Sequence, residues 1–198
     1  MFLNNKYWYF DSAISPRTCD HIIKYALAHQ DQLGTVGGVP NTFDLKKLYK
    51  TRKSKVVWLD DRWIYNEIQP YIKIANQNAG WNFQWDFTEQ CQFTKYKKGQ
   101  YYGWHTDSNS SPYTKDGPTK GKIRKLSSII SLSDSSTYKG GELEFDFKDS
   151  KNSIIKCKEI RNKGTIIIFP SFLWHRVKPV TKGIRYSLVS WHLGYPFK

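Results

Sequence analysis

The sequence predicts an α+β fold in which N-terminal helices buttress a double-stranded β-helix (jelly-roll) core. Three observations carry this. Helical periodicity is confined to about the first 80 residues, and from Trp81 onward the chain breaks into short strand-like runs. An aromatic content of 16% suits a barrel filled by bulky inward side chains. At 198 residues and 23.3 kDa, a single domain over 1–198 is the simplest organisation, with helical support over about 1–80 and the jelly roll over about 81–198. No repeat or linker divides it.

In chain order, Tyr7 to Phe10 reads as an opening strand. Ser15-Pro16 caps a helix whose apolar positions Cys19, Ile22, Ile23, Ala26 and Leu27 recur at helical spacing. Gly34 to Pro40 interrupts regular structure. Asp60 or Asp61 can cap a second helix carrying Trp63, Ile64, Ile68, Tyr71, Ile72 and Ala75 and ending near Gly80, with Pro70 expected to kink or break it. The strand-like runs are 81–87, 89–96, 101–106, 126–132, 142–147, 165–169 and 185–191. Between two of them, Ser108 to Lys125 is too long for a hairpin turn and rich in Ser, Gly, Pro and Lys; it is expected to act as a lid, with Gly34 to Lys50 as its counterpart.

The chemistry concentrates at His105-Thr106-Asp107. In an extended strand, residues two apart share a face, so His105 and Asp107 can present an imidazole nitrogen and a carboxylate oxygen to one metal. A third ligand is available in His175, which follows the apolar run 164–170 and opens a new strand near a sheet rim. Two histidines and one carboxylate suit ferrous iron with open positions better than the sulfur-rich sets of structural zinc. Ten residues past His175, Arg185 begins a run in which alternation places Arg185, Ser187, Val189 and Trp191 on one face. A guanidinium aimed into an apolar barrel demands an anion; a dicarboxylic co-substrate would meet that demand, with the Ser187 hydroxyl as an additional donor.

The stretch Tyr96-Lys97-Lys98-Gly99-Gln100-Tyr101-Tyr102-Gly103-Trp104-His105-Thr106-Asp107 resembles the Fe(II)- and 2-oxoglutarate-dependent dioxygenases, specifically the prolyl 4-hydroxylase-like branch. The likeness runs from about Glu89 to Trp191, with weaker matches over 52–58, and Gly140-Gly141-Glu142 is similar to a family turn between core strands. The resemblance implies a jelly-roll enzyme that hydroxylates a C–H bond, most directly by prolyl 4-hydroxylation of a peptide or protein, using Fe(II), 2-oxoglutarate and O2, releasing succinate and CO2, and assisted by ascorbate in assays. It implies that His105, Asp107 and His175 hold iron, that Tyr96 and Arg185 hold 2-oxoglutarate, and that Glu89, Tyr102, Arg124 and Trp191 meet the peptide or its proline. Two departures stand out. Arg185 stands where animal collagen and plant prolyl 4-hydroxylases usually have lysine and where the oxygen-sensing branch and several bacterial relatives have arginine, and Leu193, with His192 beside it, stands at the site of an accessory histidine of some members.

Composition bounds the remainder. Cys19, Cys91 and Cys157 are widely spaced with no CxxC pair, which argues for buried reduced thiols rather than a disulfide scaffold or zinc knuckle. No run of eighteen apolar residues exists and the first residues form no secretory signal, so a cytoplasmic protein without a membrane partner is expected. The formal charge of +14 favours an acidic partner or nucleic acid, although 24 of the 31 basic residues are lysines spread along the chain, as on an ordinary solvated surface. Alternative readings are a hydroxylase of a free amino acid or other small molecule, and a non-catalytic jelly roll that binds nucleic acid or protein. The nucleic-acid demethylase branch is disfavoured because Thr181 and Ser187 stand where its arginines would fall.

Overall fold

The computed structural model describes residues 3–35, 45–108, 111–148 and 153–197, with the side chains of 45–47 left out. Its strands are β1 (Trp8–Phe10), β2 (Gln32–Leu33), β3 (Arg52–Lys53), β4 (Lys55–Leu59), β5 (Phe87–Thr88), β6 (Cys91–Tyr96), β7 (Tyr101–His105) and β8 (Ile123–Ser131), followed by β9 (Lys139–Gly140), β10 (Leu143–Asp146), β11 (Ile154–Cys157), β12 (Ile166–Pro170), β13 (Trp174–Val177), β14 (Val180–Lys182) and β15 (Arg185–Gly194). Helices are α1 (Pro16–Leu27), α2 (Leu45–Thr51) and α3 (Arg62–Asn78).

Two sheets form the jelly roll. The larger is eight-stranded in the order β1-β12-β8-β15-β6-β4-β2, with β5 paired to β15; the smaller is five-stranded in the order β11-β10-β13-β7-β3. The strands that meet within these two sheets pair antiparallel. Between the sheets lies one core that also takes in the buried faces of α1 and α3, including Ile22, Ala26, Ile64, Ile68 and Ile72.

Local chemistry explains the boundaries. Ser15 accepts the Thr18 amide at 3.0 Å and Pro16 sits in the first turn, so α1 starts where capping predicts. Leu27, expected on its apolar face, is exposed because the helix ends there. Asp61 is the N-cap residue of α3, but its carboxylate accepts the Tyr25 hydroxyl at 2.8 Å instead of a helix amide. Helix α3 runs on through Pro70 without the break that a proline can cause; Pro70 lies on the exposed side.

Other expectations are corrected by the backbone. Residues 81–86 form no strand: Asp86 donates to the Leu193 carbonyl and Glu89 to that of Trp191, leaving only β5 to pair regularly. Strand β8 begins at Ile123, so the long connection ends earlier than expected, and its far part is tied into itself by Tyr113 and Lys122, whose amide and carbonyl meet at 3.0 Å. Helix α2 interrupts the segment 34–50 that was expected to be loop; residues 36–44 of that segment lie outside the described residues. All three cysteines are free and buried. Among the described residues no helix is long and apolar enough to cross a membrane.

Candidate metal centre

Strands β7 and β13 bring the metal-type side chains together. They pair antiparallel with His105 directly opposite His175, and their rings lie 4.1 Å apart. Asp107, two residues beyond His105, follows the end of β7, where its amide donates to Ser171. Its two carboxylate oxygens lie 3.6 Å from His105 Nε2 and 3.6 Å from His175 Nε2. One ligand atom from each residue falls within 4.8 Å of the others, a spread that one ion at ordinary ligand distances of about 2 Å can bridge.

The histidine tautomers are fixed by the backbone. His105 Nδ1 lies 2.8 Å from the Gly103 carbonyl and His175 Nδ1 lies 2.9 Å from that of Leu173. A carbonyl can only accept, so each Nδ1 carries the proton and each Nε2 turns a lone pair toward Asp107, as metal-bound imidazoles require. Burial pushes His105 down to about 3, helped by the neighbouring His175, which keeps the imidazole neutral. Burial alone would raise Asp107, but His175, His105, Arg124 and the Ser127 hydroxyl bring it below the usual carboxylate range. Ser127 donates to Asp107 Oδ2 at 2.7 Å and lies 2.9 Å from the Ser171 hydroxyl, forming a buried relay behind the carboxylate.

Arg185, Ser187, Val189 and Trp191 share one wall of the cavity at this cluster, as strand alternation requires, with Tyr96, Tyr102 and Gln92 also lining it. Arg185 is 1% exposed. Its Nη1 donates to Ser187 Oγ at 3.2 Å, while Nη2 has no partner. Gly141 (φ +64°) makes room for it, since a Cβ there would stand 2.9 Å from Arg185 Cδ. Tyr96, directly opposite Arg185 across β6 and β15, is buried, which raises its phenol. The described side chains therefore fit the iron and the carboxylate-bearing co-substrate: three convergent ligand atoms, and a buried guanidinium nitrogen with nothing to bond.

Comparison with known proteins bears directly on this cluster, because the family model for the 2OG-Fe(II) oxygenase superfamily matches residues 91–193, more than half of the chain. The chain belongs to this superfamily. It is 40% identical over 98 residues to a PKHD-type hydroxylase of Synechococcus sp. (strain CC9902) and 32% identical over 102 residues to one of Pseudoalteromonas atlantica. These matches take in 49% and 50% of the chain but only 38% and 41% of the relatives' own length. Among solved structures, the viral collagen prolyl hydroxylase of Paramecium bursaria Chlorella virus-1, in complex with 2OG, superposes with a TM-score of 0.67 at 22% identity, covering 96% of this chain and 97% of that one. A Trichoplax adhaerens prolyl hydroxylase bound to a hypoxia inducible factor peptide gives a TM-score of 0.69 at 18% identity, covering 96% and 84%. Both show the jelly-roll fold.

The remaining sequence-selected residues fall around the cavity's rim. Tyr102 stacks on His105 at 3.5 Å between ring centres, and burial pushes its phenol up to about 12. Glu89 and Arg124 form a multidentate ion pair at the edge of the cavity, outside its immediate lining, and Arg124 lies over the Trp191 ring at 3.9 Å. The Trp191 Nε1 proton is buried without a partner. Sequence reasoning missed four contributors. Ser127 and Ser171 are legible only as polar residues in apolar strands. Tyr113, from the long loop, donates to Glu89 at 3.0 Å. Arg52, which opens the stretch carrying the weaker part of the resemblance but has no role in the site read from sequence, is 4% exposed and packs on the Tyr102 ring at 4.5 Å.

Proposed function

We propose that this chain is an Fe(II)- and 2-oxoglutarate-dependent dioxygenase that hydroxylates a prolyl residue of a peptide or protein, most directly at C4, with release of succinate and CO2. The observation that carries the reading is the set of unmet demands on one cavity: two imidazole lone pairs and a carboxylate facing each other, with the orphaned Arg185 Nη2 on the same wall. His105, Asp107 and His175 hold the iron. Arg185, with Tyr96 and Ser187 beside it, holds the distal carboxylate of 2-oxoglutarate. When bound, the iron supplies oxygen activation coupled to decarboxylation of the co-substrate.

The chain's own residues then serve by placement. Tyr102 and Trp191 offer flat walls for a pyrrolidine ring, and the unpartnered Trp191 Nε1 offers a donor for an acceptor on the substrate. Arg124, paired with Glu89, braces Trp191 at the edge of the cavity, where the pair can also meet the peptide. Tyr113 ties the loop between β7 and β8 to that pair, which supports the loop's role as a lid. The cavity is narrow, about 30 Å³, and the Tyr102 ring stacked on His105 occupies part of it, so admitting co-substrate and a proline ring calls for side-chain movement there. The same reading takes 1–198 as one domain, since α1 and α3 share the jelly roll's core. The prolyl hydroxylase neighbours, one of them peptide-bound, favour a peptide substrate.

The test is incubation of iron-loaded protein with 2-oxoglutarate, ascorbate and proline-rich peptides, following succinate and a gain of one oxygen on proline by mass spectrometry. Succinate without peptide modification would shift the substrate to a free amino acid or other small molecule. Absence of both products from iron-loaded protein would overturn the enzymatic reading.

A further inference from the structure

A second cleft, of about 790 Å³, opens between residues 81–86, the C-terminal residues 194–197 and the start of β8, within the size range of small-molecule sites. Its walls are Trp81, Phe83, Trp85, Tyr195 and Phe197, and Lys125 lines it. On β8, Arg124 lies over Trp191, which lines the metal-side cavity, so strand alternation sends Lys125 to the opposite face of the sheet. The two cavities share no residue.

The walls are built rather than incidental. Asn76 clamps Phe83 through both its amide groups, accepting from the Phe83 amide and donating to its carbonyl, each at 2.9 Å. Trp81 Nε1 donates to the Asn5 carbonyl at 2.8 Å. Gly194 lets the chain approach Gln84 so closely that a Cβ would stand 2.2 Å from the Gln84 carbonyl oxygen. The rings hold each other: Phe83 meets Phe197 edge-on at 4.8 Å and lies near parallel to Trp81 at 6.4 Å.

Lys125 is the anomaly. It is 4% exposed and has no carboxylate and no hydrogen-bond acceptor among the described residues; its ammonium has only the Phe197 ring, 3.7 Å away. Its aliphatic stem is buried while the ammonium opens on the cleft, and this partial burial lowers its affinity for the proton. The neighbouring Lys122 differs: it pairs with Asp86 at 2.8 Å at the rim, which leaves Lys125 as the cation that a ligand can satisfy. Aromatic walls beside an unmatched ammonium recognise a flat ring that carries an anionic group. We infer that this cleft is a binding site for a planar anion, of the class of an aromatic carboxylate or a mononucleotide, separate from the iron and 2-oxoglutarate site.

The experiment titrates the full chain with indole-3-acetate, AMP, neutral indole and inorganic phosphate, read by calorimetry and by quenching of tryptophan fluorescence. At least one ring-bearing anion should bind more tightly than indole and phosphate, and which one does so distinguishes carboxylate from nucleotide. Lys125→Met, which keeps the side-chain bulk, should weaken that binding about tenfold or more, as loss of a charge-assisted hydrogen bond does. Arg185→Ala should leave it unchanged, which separates this cleft from the co-substrate site. Tyr195→Ala, at a rim position that is 65% exposed and so harmless to folding, should weaken the ring-bearing anion while leaving phosphate unaffected. Failure of both ring anions to bind, equal binding of indole or phosphate, or binding that survives both Lys125→Met and Tyr195→Ala would overturn the proposal.

Discussion

Ser127→Ala tests whether the hydroxyl relay behind Asp107 serves the metal or merely fills the core. Ser127 is wholly buried, donates to Asp107 Oδ2 at 2.7 Å and contacts Ser171 at 2.9 Å, so its loss strips the carboxylate of one donor and leaves the Ser171 hydroxyl without its acceptor. A hydrogen bond to a charged group contributes roughly 1.5–3 kcal/mol, and that much folding stability should disappear from the metal-free protein. Groups that orient metal ligands typically alter metal affinity by roughly 10- to 100-fold, and Co(II) or anaerobic Fe(II) binding should weaken by that amount. The adjacent Ser128 is the control: it lies on the opposite face, with its hydroxyl 2.6 Å from that of Ser190. Ser128→Ala should cost about 1 kcal/mol of stability and leave metal affinity intact. Urea unfolding and chelator-competition titrations of both variants provide the comparison. Equal metal affinity in the two variants would refute the argument, because it would mean that Asp107 is positioned without the relay.

On the proposed reading, in which the guanidinium holds the far end of the co-substrate and not the reacting carbon, Arg185→Ala should raise the 2-oxoglutarate KM about tenfold or more with a smaller change in kcat; steady-state succinate release measures it. Gly141→Ala should raise the same KM and lower the melting temperature, because a Cβ at φ +64° is strained by about 1–2 kcal/mol and meets Arg185 Cδ at 2.9 Å. His192, buried between Thr88 and Ser190, is pushed by burial from 6.5 to about 3. The unfolded chain therefore takes up a proton there that the folded chain refuses. Its contribution is present in full above pH 6.5 and is lost as pH falls toward 3, at up to about 1.4 kcal/mol per pH unit. Metal-free His192→Leu protein should show a shallower loss of stability between pH 6 and 4 in urea titrations, and an unchanged slope would sink that assignment.

Much of the site was legible because its logic is local. The two-residue spacing of His105 and Asp107, and the alternation that lines up Arg185, Ser187, Val189 and Trp191, follow from strand geometry alone. What sequence could not supply was pairing. That His175 stands opposite His105 depends on the β7–β13 register, and that Glu89 meets Arg124 depends on a contact 35 residues apart in the chain. Residues 56–59 form most of β4 from a contiguous apolar run, a pattern that a buried helix shares. Residues 81–86 carry strand-like alternation yet form none, because their aromatic side chains turn to the second cleft while the backbone meets β15 at isolated points. Ser127 looks like an ordinary strand serine until its neighbour across the core is known.

Charge accounting in the interior links the two cavities. Arg52, Lys125 and Arg185 are each 4% exposed or less, and none has a carboxylate partner among the described residues. Arg124, by contrast, is matched by Glu89, and Asp107 sits between two histidines. A buried cation without a counter-charge costs several kcal/mol unless something else stabilises it, and Arg52 and Arg185 each keep a buried guanidinium nitrogen with no partner. Arg52 has Ser54 and the Thr35 carbonyl, Arg185 has Ser187, and Lys125 has the face of Phe197; each contact satisfies part of the side chain's bonding capacity but none removes the charge. Cations left without a carboxylate partner are the positions that an anionic ligand would satisfy. On the proposed reading, the anion at Arg185 would be the distal carboxylate of the co-substrate, and that at Lys125, on the other face of the sheet, a separate ligand. The overall charge of +14 is largely a matter of surface lysines, whereas these three cations locate where in the fold anionic ligands are to be sought.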